Sequence, residues 1–260
     1  MVKRSAIGGV LISLAVIAFG LYLDGGKIAQ MLQPTAALIV LGGTLGAVVV
    51  QFPLPIVVRS ARQLKTVFFG ADDVMSQRIN DISRFAAQAR RSGVVSLDHE
   101  MESVEDPFLR LCIGLIVDGV KSDPLRAIAG TAMESEATRD ALSSRVYDAA
   151  GGFAPTVGIL GAVIGLIQVM QRMQNISEVG QGIAVAFVAT LYGVGVANLF
   201  FLPCAGRIKL INAKRQLVRE MTLEGAACIA EGLNPRAVEQ RLMAFTETPT
   251  RSFDNTWTVR

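Results

Sequence analysis

The chain has 260 residues, 51% of them hydrophobic and 18% charged, with a formal net charge of +3 and a mean hydropathy of +0.45. That balance is too apolar for an ordinary soluble enzyme. It also excludes a basic nucleic-acid binder, whose charge would form a stripe without long apolar interruptions. Of the 47 Lys, Arg, Asp and Glu residues, 41 lie in 54–152 or after Pro203, the segregation expected of a membrane protein with two water-exposed elaborations.

Four windows carry no charge: Ser5 to Leu23, Gln30 to Val58, Ala149 to Gln171 and Val179 to Gly206. Within them the expected membrane helices run over 7–23, 35–52, 153–173 and 182–203, each close to the ~20 residues that cross the hydrocarbon. The first follows Lys3 and Arg4 but leads to no small-residue cleavage site before a soluble domain, so it reads as a retained anchor. Four segments follow: a 1–53 hairpin, a 54–152 cytoplasmic helical region, a 153–203 hairpin and a 204–260 helical tail. Arg59, Arg62 and Lys65 flank the second helix, and Arg207, Lys209, Lys214, Arg215 and Arg219 the fourth. The short turns hold only Lys27 and Arg172. The positive-inside rule therefore places both termini and the middle region in the cytoplasm.

The middle region reads as helical. Val74, Ile79, Ile82, Phe85, Ala86 and Ala89 recur at helical spacing before Gly93, and a second apolar run covers 108–120. Ser122-Asp123-Pro124 signals a helix start with no strong breaker until Gly151-Gly152, so this helix is expected to run into the third span. The fourth is expected to continue past Pro203 toward Gly232. The fold class is thus an all-α integral membrane protein, four spans with long cytoplasmic extensions of the third and fourth.

Pro155, Gly158, Ala162 and Gly165 share one face of the third span, and Ala186, Thr190, Gly193 and Ala197 one face of the fourth. Two readings stay open for these small-residue faces: plain helix packing, which such stripes serve in membrane bundles generally, or a smooth wall for a pore or a moving partner helix. Within the hydrocarbon none of the four spans carries Asp, Glu, Lys, Arg or His. Such groups are the usual carriers of protons inside a membrane, so a partner must supply the titrating site. Thr190 is the one hydroxyl on its stripe, able to lend an oxygen to a water or cation, or to its own helix carbonyl. Pro155 and Pro203 mark helix ends, kinks or a matched pair of hinges. Cys112, Cys204, Cys228 and the single histidine, His99, are too scattered for a zinc or disulfide framework. No nucleophile, metal cluster or acid-base pair falls in or near the spans, so no enzyme is expected.

At this point the sequence resembles the A subunits of bacterial flagellar stators, the MotA/PomA family, which belongs with ExbB and TolQ to a wider group of ion-driven rotary units. The motifs that carry the resemblance are Gly42-Gly43-Thr44; Ala89-Arg90-Arg91 with Gly93 and Leu97-Asp98; Glu105-Asp106-Pro107-Phe108; Val117-Asp118-Gly119; Ala154 to Gly158 and Gly161 to Ile167; Ala189 to Gly193, then Ala197-Asn198 and Leu202-Pro203; and Glu231 to Arg236. Their order covers nearly the whole chain. ExbB and TolQ typically have three spans with the large region after the first, so a fourth span favours the flagellar type over an energiser of outer-membrane transport. A gliding-type rotary unit is a further alternative.

The resemblance implies an inner-membrane homopentamer around two MotB-type B subunits, single-span proteins that carry the ion-binding aspartate and anchor to peptidoglycan. It implies no cofactor, only a transported ion. Ring-lining positions would be Thr190, Ala162, Gly158, Gly165 and Gly193, with Pro155 and Pro203 coupling ion passage to the cytoplasmic helices. Arg90, Arg91 and Asp98 would meet the flagellar rotor's switch-ring protein, Asp98 standing where glutamate is more usual. Sodium-type members tend to have threonine at the position of Ala162. Losing that oxygen removes a ligand for dehydrated Na⁺, so H⁺ is the expected ion.

Overall fold

The computed structural model describes residues 5–25, 31–70, 74–171 and 176–246, with side chains throughout except at 5–7, 176–178 and 181. Lys3, Arg4, Lys27 and Arg172 of the topology argument lie outside the described residues. Among those described, all regular structure is helical. The elements are α1 (Ser5–Leu23), α2 (Pro34–Gln51), α3 (Leu54–Phe69), α4 (Val74–Ser92), a 3₁₀ turn (Val94–Leu97), α5 (Asp98–Met101), α6 (Pro107–Val117), α7 (Ser122–Gln171), α8 (Ile176–Val196), a π turn (Ala197–Phe201), α9 (Leu202–Ala230) and α10 (Pro235–Met243).

The helix expected from Ser122 runs unbroken for 50 residues through Pro155, about 75 Å at 1.5 Å per residue. The α8–α9 path likewise passes Pro203 without a break. Pro34–Gln51, Ser122–Gln171 and Gly182–Ala230 are long and apolar enough to cross a membrane, whereas Gly8–Leu23 is a shorter apolar helix. At most 28% of each of the three apolar windows is buried. Leu38, Val50, Ile159, Leu166 and Phe187 are among the large apolar side chains left outside. A chain in water would not leave that much apolar area uncovered.

The chain forms two compact units. The first holds α1, α2, α3, α7 from Arg139, α8, and α9 through Asn212. Its core joins Val48 of α2 and Phe52 just after it, Val67 of α3, Val146, Tyr147, Ala150 and Ala154 of α7, and Phe201, Ala205 and Ile208. A smaller cluster sets Ala36 and Val40 against Val188 and Ala189. This division differs from the expected segmentation at 53/54 and 152/153, because α3 and the 139–152 stretch pack with the apolar helices. Tyr147 donates to the Ser60 carbonyl (3.0 Å), and Arg59 pairs with the buried carboxylate of Asp140 (3.0 Å).

The second unit holds α4, the 3₁₀ turn, α5, α6, the first part of α7, the rest of α9, and α10. Ile82, Phe85, Leu97, Ile113, Ile116, Leu125, Met221 and Leu242 form its core. Several family motifs prove to be local folding devices here. Asp106 caps α6 by accepting from the Leu109 amide (2.8 Å), with Pro107 opening the helix, the residue types a helix start requires. Gly119 and Gly232 end α6 and α9 at φ +74° and +73°, left-handed turns whose following amides return to Leu115 and Cys228.

Candidate functional site

In the first unit the two small-residue stripes face each other. A Cβ placed on Gly193 would lie 2.5 Å from the Ala154 carbonyl oxygen and 2.9 Å from the Gly158 Cα. One on Gly158 would lie 3.0 Å from the Ala189 carbonyl oxygen, and one on Gly165 3.1 Å from the Ala186 Cβ. At Gly193 only hydrogen fits, and at Gly158 and Gly165 a methyl would force its neighbour to give by a few tenths of an ångström, so α7 and α8 approach closely along these small residues. Gly158, Gly165 and Gly193 are thus buried within the chain's own helix pair. Ala162 and Thr190 sit at its edge, each half-buried. Gly43 of α2 instead leaves room for a side chain, since a Cβ there would lie 2.7 Å from Val157 Cγ1.

Thr190 Oγ1 donates to the Ala186 carbonyl at 3.4 Å, a long bond that leaves the hydroxyl free to reorient. Its Cα lies 3.4 Å from where a Gly158 Cβ would stand, which puts the hydroxyl-bearing residue at the level of closest helix approach. Tyr192, on the same helix, ties down the start of α2: its hydroxyl donates to the Met31 carbonyl and accepts from the Gln33 amide (3.3 Å). Thr44 is fully buried, and among the described residues its hydroxyl has no hydrogen-bond partner.

The two prolines share a neighbourhood. Pro155 stands inside α7, and Thr156 Oγ1 donates back to the Phe153 carbonyl (2.8 Å). One turn earlier, a Cβ on Gly151 would lie 2.6 Å from Leu202 Cδ2, the side chain next to Pro203. Pro203 has no N–H for the Leu199 carbonyl, and the helix answers with the π turn immediately before it. The Leu202 amide reaches five residues back to Ala197. π turns of this kind interrupt helices frequently at functional sites. Pro203 was the only signal for it in the sequence.

In the second unit Arg90 and Arg91 end α4, and Asp98 opens α5 across the Val94–Leu97 turn. All three are exposed. Arg90 Nη1 stands 3.5 Å from the Gly232 carbonyl, at the outer limit of a hydrogen bond. Beside Asp98, a recess of 460 Å³ is lined by Asp98, His99, Met101, Glu102 and Arg110, a feature no sequence pattern announced. Beneath this face the unit is braced by ion pairs. Glu224 lies between Arg126 and Arg241, and Arg78, almost fully buried, holds Asp106 at 2.7 Å. The Arg126 hydrogen bond draws the Glu224 pKa below its ordinary value against the opposing effect of burial. Burial raises that of Asp106, but the Arg78 and Leu109 hydrogen bonds outweigh it and the net shift is down. Burial also pushes the Cys112 thiol up to about 12, so this cysteine offers no thiolate at neutral pH. Among the described residues no cluster of His, Cys, Asp and Glu could hold a metal ion.

Two family models match the chain: the N-terminal model of motility protein A over residues 7–85 and the MotA/TolQ/ExbB proton channel family over 100–221. The chain is 31% identical to motility protein A of Bacillus subtilis, over 93% of this chain and 90% of that protein. Among solved structures it is similar to the C. jejuni MotAB structure, with a TM-score of 0.87 and 27% identity over 95% of this chain and 97% of the other. The flagellar MotAB stator complex of Bacillus subtilis matches with a TM-score of 0.83 and 30% identity, over 93% and 96% of the two chains.

Proposed function

The chain belongs to the motility protein A branch of the MotA/TolQ/ExbB family, and from that membership we propose that it is the A subunit of a proton-driven flagellar stator. The observation that carries this reading is the agreement of sequence and fold with flagellar stator proteins over nearly the full length. In this reading α1 joins α2, α7 and α8 as a fourth span, both termini face the cytoplasm, and five copies enclose two single-span B subunits anchored to peptidoglycan.

The physical role follows from what the helix pair lacks. An aspartate brought by the B subunit must be charged in one state and neutral in another, and a fixed charge on the wall would hold it in one of them. Over 149–171 and 179–196 the α7–α8 pair offers instead a close-packed, charge-free surface with Thr190 and Ala162 at its edge. Thr190 lends one oxygen to the passing proton's water. Ala162 lends none, which disfavours a dehydrated Na⁺. Protonation changes how the partner helix fits the ring, the ring steps, and Pro155 and the π turn at Pro203 pass the step to the cytoplasmic helices. There Arg90, Arg91 and Asp98 engage complementary charges on the rotor, in a salt-dependent way.

Thr190→Ala tests the assignment. The complex with the B subunit is expected to assemble at wild-type yield while rotation of tethered cells falls at least tenfold. Unchanged rotation would remove Thr190 from the ion path.

A further inference from the structure

We propose that α3 is a docking surface for anionic phospholipid headgroups, resting on the reading that α2 crosses the membrane. The helix has an inner and an outer face. Inward, Ser60 and Val67 are buried and Ile56, Val57, Leu64 and Phe68 pack on the core of the first unit. Outward, Leu54, Val58 and Phe69 are 60%, 48% and 72% exposed. At 100° per residue these three and Lys65 fall within an arc of about 60°, with Arg62 at its edge. Arg59 is engaged by Asp140. Among the described residues Arg62 and Lys65 have no carboxylate partner, and the sequence has no Asp or Glu from 25 to 71.

Such a face suits neither bulk water nor a protein core. Apolar side chains recurring at helical spacing can sink to the acyl boundary, while lysine and arginine extend their stems along the same surface and place their charges at phosphate depth. Continuity with α2 fixes the lipid as occupant. Val50, in the last turn of α2, is 90% exposed, so acyl chains cover it, and α3 begins four residues later. The headgroup layer therefore lies where α3 starts, and the unopposed positive charge selects its anionic members.

The three native cysteines are buried, so a fluorophore can be placed on a single introduced cysteine. The complex of this chain with a cysteine-free B subunit is labelled at Val58→Cys, Phe69→Cys or, as a reference on α2, Leu38→Cys. It is then placed in nanodiscs holding dibrominated phosphatidylglycerol or dibrominated phosphatidylcholine at equal mole fraction. Quenching at Val58 and Phe69 is expected with both lipids and about threefold stronger with phosphatidylglycerol. That preference should be lost in the exposed double variant Arg62→Gln/Lys65→Gln, whose thermal stability is checked to match the wild type. Equal quenching by the two lipids would overturn headgroup selection. Quenching at Leu38 alone would overturn the proposal by showing α3 covered by water, a second copy or another protein. Absence of quenching at Leu38 as well would overturn the membrane placement on which it rests.

Discussion

At the scale of single residues, the glycines of the α7–α8 contact carry the sharpest consequence. Gly193→Ala places a methyl 2.5 Å from the Ala154 carbonyl oxygen, and what it meets is backbone, which cannot rotate away. The helices must separate, a strain of the ~1–3 kcal/mol seen for overpacking. Gly195→Ala, two residues on, meets nothing within 4 Å. We expect the melting temperature of the purified complex to fall by several degrees for the first and to stay within error for the second. Equal shifts would show that the glycines matter for helix propensity alone. Glu224 gives a second test with a definite pH dependence. Its folded pKa is depressed below the ordinary value of 4.5, so its contribution is present above about pH 4.5 and is lost as pH falls through the lower folded value. Glu224→Gln should destabilise the complex by ~1–2 kcal/mol at pH 7 and lose that difference in strong acid. A pH-independent difference would mean that its charge is not what holds Arg126 and Arg241.

At the scale of elements, the π turn before Pro203 is the feature to perturb. Pro203→Ala returns an N–H to the Leu199 carbonyl and lets Ala197–Phe201 relax to α-helix, turning α8 relative to α9. Stator complexes carrying it are expected in normal amount, with stall torque at high load reduced severalfold. Normal torque with the turn abolished would separate it from coupling. Elements also divide what the sequence makes legible from what it does not. The long helices were readable because apolar runs free of charge and breakers leave few alternatives, and the start at Ser122 and the turn at Gly232 were signalled by local chemistry. Within the expected helical regions 54–152 and 204–260, α3 and α10 were not marked out as separate helices, although Pro53 and the Asn234-Pro235 pair are helix-start signals, because short amphipathic patterns compete poorly with neighbouring apolar runs. Register was out of reach. Spacing alone put Gly158 and Gly193 on small faces without saying that each would be the other's contact, and this left both packing and pore wall open as readings.

At the scale of the molecule, the chain combines a unit that leaves most of its apolar windows uncovered with a unit built on a closed core and braced ion pairs. The first asks for lipid and further chains, and the second presents Arg90, Arg91 and Asp98 on an exposed face. Partner identity, ion and rotor contact lie outside what one chain's pattern can encode, because each depends on charges that another protein supplies. The most direct test of the account is rotation of tethered cells lacking their own stators, supplied with this chain and its cognate B subunit, with Na⁺ varied at constant proton-motive force. Rotation that follows the proton-motive force and ignores Na⁺ is the predicted result. Rotation that requires Na⁺ would contradict the ion assignment, and no rotation from a fully assembled complex in its native host would contradict the torque-generating role itself.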